Sequence, residues 1–229
     1  MRLCPKHKPG AYAAVIALVA VAALLLLRKP ELLNAYTYSD RIYDRNGQLL
    51  HLGLSLDDKY RIRVPLQEIP PAARKALLLY EDRWFYEHPG VNPASMLRAV
   101  LQMLTRRQGA STLTMQVARI VYHIDSSSVS GKLLQIVRAL QLEIFYSKDE
   151  ILEAYFNLAP YGGNIEGIAA AAQVWFNTPV SRLNLPQILT LTVIPQNPVK
   201  RSPATPAGLK NAAAAAARLK ELWRENHPV

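Results

Sequence analysis

The first regular pattern along the chain is an apolar run that extends from Ala11 to Leu27 without a charge or a helix-breaking residue. A helix needs roughly 17–25 such residues to cross a bilayer, so this run is at the short limit. A cleaved signal peptide is the alternative, but its apolar core is usually about 7–15 residues long and a small-residue cleavage site follows it. Here Arg28-Lys29-Pro30 follows directly. The pattern therefore favours a short cytoplasmic tail over residues 1–10 and an uncleaved transmembrane anchor over residues 11–27.

Two short runs of alternating apolar and polar residues follow between Arg41 and Leu54. They are joined by Asn46-Gly47, the dipeptide best suited to a tight hairpin turn because both residues tolerate positive φ. The sequence therefore predicts a linker with a short β-hairpin over residues 28–60.

From residue 61 to the end, apolar positions recur with the period of a helix, and prolines and glycines punctuate the pattern. The predicted helical segments are residues 71–90, 93–107, 111–121, 131–145, 148–158, 167–176 and 207–225. The predicted fold class is therefore mainly α. A chain of 229 residues can hold one sizeable domain with a short appendage, so residues 61–229 are expected to form a single domain.

Composition constrains the partners. The formal net charge of +10 predicts attraction to an anionic partner, and charge alone leaves nucleic acid, an acidic membrane surface and a phosphorylated substrate open. The single cysteine, Cys4, excludes an intramolecular disulfide. The histidines are too scattered along the sequence to build a metal site by spacing, so no metal site made by side chains alone is expected.

One predicted helix, over residues 93–107, has an amphipathic character of its own. It ends on Arg106 and Arg107, and its apolar positions are Met96, Leu97, Val100, Leu101, Met103 and Leu104. A basic amphipathic stretch of this kind is typical of a bilayer surface. An ordinary buried helix is the alternative.

A pair of acids marks the first candidate for chemistry. Glu81 and Asp82 end an apolar stretch and are followed by three aromatic residues and His88. A carboxylate beside aromatic side chains tends to have a raised pKa, which suits proton transfer near neutral pH. The alternative is an exposed acid pair that only solvates a helix end.

Two other segments carry polar groups suited to an anion. In the first, a glycine and hydroxyl residues precede a helix, with Ser111, Thr112 and Gln116 at its start, although a simple N-cap at Ser111 or Thr112 is the favoured explanation when this segment is taken alone. In the second, polar side chains recur every third residue of a helix, at Lys132, Gln135 and Arg138. Two cations on one broad helix face can hold a diphosphate, whereas most such cations are simply solvated.

Taken in order, these segments resemble the peptidoglycan glycosyltransferase, or transglycosylase, domain shared by class A penicillin-binding proteins and monofunctional transglycosylases. The first motif of that family, Glu-Asp-x-x-Phe-x-x-His-x-Gly, is met at residues 81–90. The second, Gly-x-Ser-Thr-x-Thr-x-Gln, is met at residues 109–116. The fourth, Ile-Leu-Glu-x-Tyr-x-Asn, is met at residues 151–157, and the fifth, Ile-Pro-Gln-x-Pro, at residues 194–198.

The third motif differs from the family pattern. The usual Arg-Lys-x-x-Glu appears as Gly131-Lys132-Leu-Leu-Gln135, so that a glutamine replaces the second acid. With the surrounding residues, this change looks most like the penicillin-binding protein 1C branch. Relatives in that branch continue into a transpeptidase domain, whereas this sequence contains no Ser-x-x-Lys. The chain is therefore expected to be either a monofunctional enzyme or a truncated one.

The resemblance implies a lysozyme-like helical fold with a small membrane-facing subdomain, and polymerisation of lipid II into glycan strands with release of polyprenyl diphosphate. It implies Glu81 as the general base, with Asp82 and His88 in support. The substrate-binding residues it implies are Phe85, Ser111, Thr112, Gln116, Lys132, Gln135, Arg138 and Asn157. Mg²⁺ or Mn²⁺ associated with the substrate diphosphate is the cofactor that this chemistry allows.

The implied partners are lipid II, lipid-linked glycan, membrane lipids and other cell-wall synthesis proteins, and nucleic acid is not expected. The implied location is the bacterial cytoplasmic membrane, with one membrane pass and the catalytic domain on the outer, periplasmic side. Two alternatives remain open from the sequence. A lysozyme-like enzyme that cleaves glycan also uses carboxylates around a glycosidic bond, and Gln135 suggests a catalytically idle membrane scaffold.

Overall fold

The structure, a computed structural model, describes residues 15–17, 19–20, 23, 28–91 and 111–227. The chain divides into two compact units, Met1–Pro30 and Glu31–Val229. In the first unit, residues 15–17, 19, 20 and 23 are helical, and most of the predicted anchor over 11–27 lies outside the described residues. No helix formed by the described residues has the length and apolar character needed to span a bilayer. The predicted amphipathic helix over 93–107 also lies outside the described part of the chain.

The second unit is mainly helical, as predicted. Its α-helices, in chain order, are α1 (Pro71–Glu81), α2 (Leu113–Val121), α3 (Val129–Phe145), α4 (Lys148–Leu158), α5 (Ile168–Phe176), α6 (Leu185–Val193) and α7 (Pro206–Asn226). Its strands are β1 (Arg41–Tyr43), β2 (Leu49–Leu52), β3 (Tyr60–Arg61) and β4 (Ile165–Glu166), and short 3₁₀ helices cover Leu66–Glu68 and Val180–Arg182.

Five of the seven described α-helices begin at a polar side chain that caps them, and α1 and α5 are the exceptions. Ser147 caps α4 and forms a reciprocal capping box with Glu150, and Asn184 does the same for α6 with Gln187. These side chains bond backbone N–H groups that the first helical turn leaves without a partner. The local sequence therefore determines where these helices start.

The strands form two small sheets. β1 pairs antiparallel with β2, as the Asn46-Gly47 turn predicted, and Gly47 has the positive φ of 78° that the turn requires. β3 pairs in parallel with β4. Arg61 on β3 is almost fully buried and forms ion pairs with Asp57 and with Glu166 on β4. A buried guanidinium is tolerated because two carboxylates and a carbonyl group use its donors. Through Glu166 it fastens the segment before α1 to residues 161–167, the glycine-rich segment after α4.

The core lies between the helices that carry the candidate chemistry. α2 packs against both α3 and α4, while α6 packs against α1 and α7. α4 is the most enclosed of these helices, and its buried residues include Ile151, Leu152, Ala154 and Leu158. Burial of these apolar side chains stabilises the fold by about 25 cal/mol for each Å² removed from water. α1 is thereby held against α6 and α7, and α2 against α3 and α4.

Two elements differ from the sequence-based expectation. α1 ends at Glu81 rather than continuing to residue 90, and residues 83–90 form turns. Asp82 leaves the helix because its carboxylate bonds the backbone N–H of Leu113, which is distant in sequence. α6 was not predicted, although the Asn184-x-x-Gln187 capping box was a usable signal.

Candidate active site

Glu81 lies at the last position of α1 and points towards α2. Its Oε2 atom accepts a hydrogen bond from Nε2 of Gln116 at 3.0 Å. Its Oε1 atom is buried and has no hydrogen-bond partner among the described residues. Burial raises the pKa of Glu81 above its usual value, and the hydrogen bond from Gln116 and the charges of Arg201 and Arg119 partly oppose that rise. Within the described part of the chain, Glu81 therefore combines a fixed orientation, an acceptor atom without a partner and a raised pKa, which are the properties of a general base.

Asp82 and His88 form a buried pair beside Glu81. Nε2 of His88 lies 3.0 Å from both carboxylate oxygens of Asp82, so the ring donates its Nε2 proton to the carboxylate. The same carboxylate accepts a 3.0 Å hydrogen bond from the backbone N–H of Leu113, the first residue of α2. A negative charge at this point also complements the positive end of the helix dipole. Asp82 therefore joins the end of α1 to the start of α2, and His88 holds it there.

Phe85 belongs to the core. Its side chain is fully buried, and its ring meets that of His88 edge-on with centroids 6.4 Å apart. Nζ of Lys148 lies 4.6 Å from the centre of the Phe85 ring, donates to the carbonyl oxygen of His88 and forms an ion pair with Glu143. These contacts give Phe85 a packing role that fixes the turn after α1, and its binding of substrate stays a prediction.

Asn157 is also fully buried. Its amide accepts from the backbone N–H of Val64 and donates to the carbonyl oxygens of Val64 and Glu153. All of these partners are backbone atoms of the fold, so the described contacts give Asn157 a structural role. The implied contact with substrate stays a prediction.

The start of α2 brings the hydroxyl residues of the second motif into place. Thr112 is the N-cap: its Oγ1 accepts from the backbone N–H of Met115 and donates to the carbonyl oxygen of Gly90. Because Thr112 is buried and both capacities of its hydroxyl are used, its described role is to cap α2. Ser111, one residue earlier, is only half-buried and accepts a hydrogen bond from Nζ of Lys132.

Lys132 on α3 is the cation that lies against this helix start. Its Nζ donates to Oγ of Ser111 and to Oε1 of Gln135, the latter at 2.9 Å. Gln135 is buried, and its Nε2 donates to the carbonyl oxygen of Met115 at 2.7 Å. Burial lowers the pKa of Lys132, and the charge of Arg119 lowers it further. Gln135 thus connects Lys132 to α2 through both polar atoms of its amide group.

Arg138 has different contacts. Its guanidinium donates to Oε1 of Gln141 at 2.7 Å and lies 4.5 Å from the centre of the Tyr122 ring. The regular spacing along α3 suggested one face shared with Lys132, but the two cations have separate sets of contacts. Their joint action on a diphosphate stays a prediction.

Three further residues lie at the site that were not among the candidate site residues from the sequence, although one of them, Tyr155, is a position of the fourth motif. Arg119 on α2 acts electrostatically on both Glu81 and Lys132. Tyr155 on α4 has a buried hydroxyl without a partner among the described residues, and its pKa is raised first by burial and then by the charge of Glu81. Arg201, in the segment between α6 and α7, is the third and lowers the pKa of Glu81. Only folding brings these residues to Glu81, so local periodicity could not identify them.

The same contacts test whether the chain fits a metal ion. The described residues contain no group of three or more His, Cys, Asp and Glu side chains arranged to hold one. At the position of the second acid, both amide atoms of Gln135 are already used by Lys132 and Met115. The described side chains therefore do not fit a metal site there, and a divalent ion would take its ligands from the substrate diphosphate and water.

Comparison with known proteins identifies the family. The transglycosylase family model matches residues 46–225. The chain belongs to the transglycosylase family. This membership confirms the resemblance drawn from the motifs, and it covers all of the helices α1–α6 and most of α7.

Several curated proteins are similar to this transglycosylase-family chain. Penicillin-binding protein 1C of Escherichia coli is 43% identical over 150 residues, which are 64% of this chain and 19% of that protein. Penicillin-binding protein 4 of Bacillus subtilis is 37% identical over 71% of this chain and 26% of its own length. Penicillin-binding protein 1A of Escherichia coli is 35% identical over 76% of this chain and 21% of its own length. The chain therefore spans at most about a quarter of the length of these relatives.

Proposed function

We propose that this chain is a peptidoglycan glycosyltransferase that polymerises lipid II into glycan strands and releases polyprenyl diphosphate, at the outer face of the bacterial cytoplasmic membrane. Membership of the transglycosylase family supports the reaction class. The geometry of Glu81 carries the assignment of the base, because one carboxylate oxygen is fixed by Gln116 and the other has no partner among the described residues. Lipid II, membrane lipids and other cell-wall synthesis proteins are the proposed partners.

The proposed reaction is one substitution at the anomeric carbon of the donor. The 4-hydroxyl oxygen of the lipid II acceptor bonds to the anomeric carbon of the lipid-linked glycan donor, and Glu81 takes the hydroxyl proton. The bond between that carbon and the diphosphate oxygen breaks, and the diphosphate leaves with the electron pair. The carboxylate must be ionised to accept the proton, and it must then release the proton before the next transfer.

The leaving diphosphate needs positive charge near it. Lys132 is the proposed source, because it is held at the start of α2 by Ser111 and Gln135. Backbone N–H groups at a helix start and a fixed cation both favour a developing anion. Arg119, whose charge reaches both Glu81 and Lys132, and Arg138 are proposed to add to this field. Mg²⁺ or Mn²⁺ is proposed to accompany the diphosphate itself, and no step depends on it.

Cleavage of glycan is the competing reaction class. A hydrolase of that kind uses two carboxyl groups about 5–9.5 Å apart on either side of the bond. Asp82 cannot act freely as the second, because both of its oxygens are bonded to His88 or Leu113. These contacts favour transfer over cleavage.

The decisive experiment is polymerisation of lipid II by the wild-type chain and by Glu81→Gln. The amide keeps the shape of the side chain but cannot take the proton, so we expect a loss of about 10²–10⁴ in rate with lipid II binding nearly unchanged. Glu87→Gln is the matched control, because Glu87 is exposed on the same turn. Activity of Glu81→Gln close to wild type would refute Glu81 as the base. Release of fragments from purified cell wall in place of polymer would favour the hydrolase.

A further inference from the structure

Arg201 is bonded to the residue that precedes the candidate base. One nitrogen, Nη1, donates to the hydroxyl of Tyr80 at 3.0 Å and to the carbonyl oxygen of Val193 at 2.7 Å. The Tyr80 hydroxyl in turn donates to Oε1 of Gln196 at 2.9 Å. We propose that Arg201 is a positioning residue for the reaction at Glu81: it fixes the last turn of α1 through Tyr80 and places a permanent positive charge beside the carboxylate. The proposal rests on the proposed function of Glu81 as the base.

The segment that carries Arg201 is itself tightly packed. Gly162 has a φ of +99°, and a Cβ added there would lie 2.7 Å from Oγ of Ser202 and 3.2 Å from the carbonyl oxygen of Pro198. A Cβ added at Gly208, in the first turn of α7, would overlap the carbonyl oxygen of Ser202. Both glycines therefore allow a close approach that no other residue permits. Arg201 is consequently held in place from two sides, unlike a flexible arginine on a surface.

The same packing involves the glycine-rich segment 161–167 and the fifth motif, residues 194–198, neither of which the proposed chemistry uses. The glycine-rich segment after α4 receives the 198–202 segment through Gly162, and the fifth motif supplies Gln196 to the Tyr80 hydroxyl. The segment between α6 and α7 therefore links the glycines to the end of α1. A purely structural role for Arg201 would explain its hydrogen bonds to Tyr80 and Val193, but a neutral donor could make such bonds equally well.

The charge has a distinct consequence at Glu81. The groups that act on its carboxylate are Gln116 and Arg119 from α2, Asp82 beside it, Tyr155 from α4 and Arg201. Burial favours the protonated acid, whereas Arg201 favours the ionised form that a base needs. Loss of the Arg201 charge must therefore raise the pKa of Glu81. A variant that keeps the charge but loses the bond to Tyr80 should leave that pKa in place and disturb only the orientation.

The experiment compares Arg201→Gln with Lys200→Gln, which removes an equal charge from an exposed neighbour. The first measurement is the pH dependence of kcat/KM for lipid II polymerisation. The second is a ¹³C NMR titration of the Glu81 carboxyl group in the detergent-solubilised chain, in which the Glu81 signal is identified by its absence from the spectrum of Glu81→Gln. In Arg201→Gln we expect the acid limb of kcat/KM and the Glu81 titration to move to higher pH together, with activity recovering above the limb. Each pH unit of movement costs about tenfold in kcat/KM on the acid side. Lys200→Gln should move neither.

Tyr80→Phe separates orientation from charge, and it keeps the proposal testable if Arg201→Gln folds poorly. It removes the acceptor of the Arg201 bond while both charges remain, so we expect a several-fold lower kcat with an unmoved acid limb. Arg201→Lys keeps the positive charge that Arg201→Gln loses, so its acid limb should lie closer to that of the wild type than the limb of Arg201→Gln. An unmoved titration of Glu81 in Arg201→Gln, with only a lower melting temperature, would overturn the proposal. If Glu81→Gln polymerises lipid II normally, the function assigned to Glu81 fails, whereas the NMR titration still reports independently on Arg201.

Discussion

Nε2 of Gln116 donates a 3.0 Å hydrogen bond to Oε2 of Glu81 and leaves Oε1 of that carboxylate without a partner among the described residues. The two residues come from different helices, α1 and α2, and from different sequence motifs. The arrangement fixes the direction of the carboxylate and keeps one acceptor available. Because an ionised carboxylate is unfavourable when buried, the same arrangement should lower the stability of the fold.

The first prediction concerns that stability. The pKa of Glu81 is higher in the folded chain than in the unfolded chain, where it is near 4.5. Below pH 4.5 the carboxyl group is protonated in both states and does not destabilise the fold. Above its folded pKa the group is ionised in both states, and the buried charge destabilises the fold by the full amount. Glu81→Gln should therefore be more stable than wild type at pH 8, and the gain should fall as the pH decreases towards about 4.5. Thermal unfolding across this range measures the difference. A gain that is equal at both ends of the range would contradict the raised pKa, and the exposed Glu87→Gln should show little change.

The second prediction concerns Asp82. Its buried carboxylate accepts from both His88 and the backbone N–H of Leu113, whereas an amide has one oxygen and would turn a donor towards one of those donors. We expect Asp82→Asn to lower the free energy of unfolding by about 1–3 kcal/mol. Denaturant unfolding measures this loss. If Asp82 acts only through His88, His88→Leu should cost as much and the double variant should cost no more than either alone.

The third prediction separates capping from substrate binding at Thr112. Thr112→Val removes the N-cap of α2 and the donor to the Gly90 carbonyl oxygen, so we expect a loss of about 0.5–2 kcal/mol in unfolding free energy. Thr112→Ser keeps both hydrogen bonds and should remain close to wild type in stability and in KM. A Thr112→Ser variant that is stable but binds lipid II weakly would instead show that the methyl group contacts substrate.

The sequence predicted much of this architecture because the responsible signals are local. Side-chain caps such as Ser147 fix where helices begin, and Asn46-Gly47 closes the hairpin. The end of α1 at Glu81 was missed because Asp82 bonds to Leu113, 31 residues away. Periodicity put Lys132 and Arg138 on neighbouring turns of one broad face of α3, but it could not show that Arg138 contacts the ring of Tyr122 and the amide of Gln141.

The residues of the candidate site likewise differ in how far the sequence could predict them. The motifs identified Glu81, Asp82 and His88, which the structure does bring together. They also implied substrate contacts for Phe85 and Asn157, whose burial is decided by the tertiary core. A family motif records every position that the fold or the reaction constrains, so it cannot tell a packed residue from a reacting one.

The last prediction concerns Lys132 and Gln135. Lys132→Ala removes the cation beside the start of α2, and we expect a loss on the order of 3 kcal/mol in transition-state stabilisation, as for other groups that stabilise developing charge. Gln135→Ala should cost less in activity per folded molecule, because Lys132 keeps Ser111 as a partner. It should nevertheless unfold more easily, since the buried hydrogen bond from Gln135 to the carbonyl oxygen of Met115, which ties α3 to α2, is lost.

Restoring the acid tests the metal dependence. Gln135→Glu cannot donate to Met115, so it should be less stable than wild type, but its carboxylate can pair with Lys132 or ligate a divalent ion. We therefore expect it to remain active and to respond more strongly to Mg²⁺ than the wild type, whose activity should depend only weakly on added chelator. Polymerisation rates of the three variants and of wild type, each with Mg²⁺ and with chelator, measure these differences. If Gln135→Ala is inactive while Lys132→Ala remains active, this division of roles is wrong. The leaving diphosphate would then depend on the amide of Gln135 and not on the charge of Lys132.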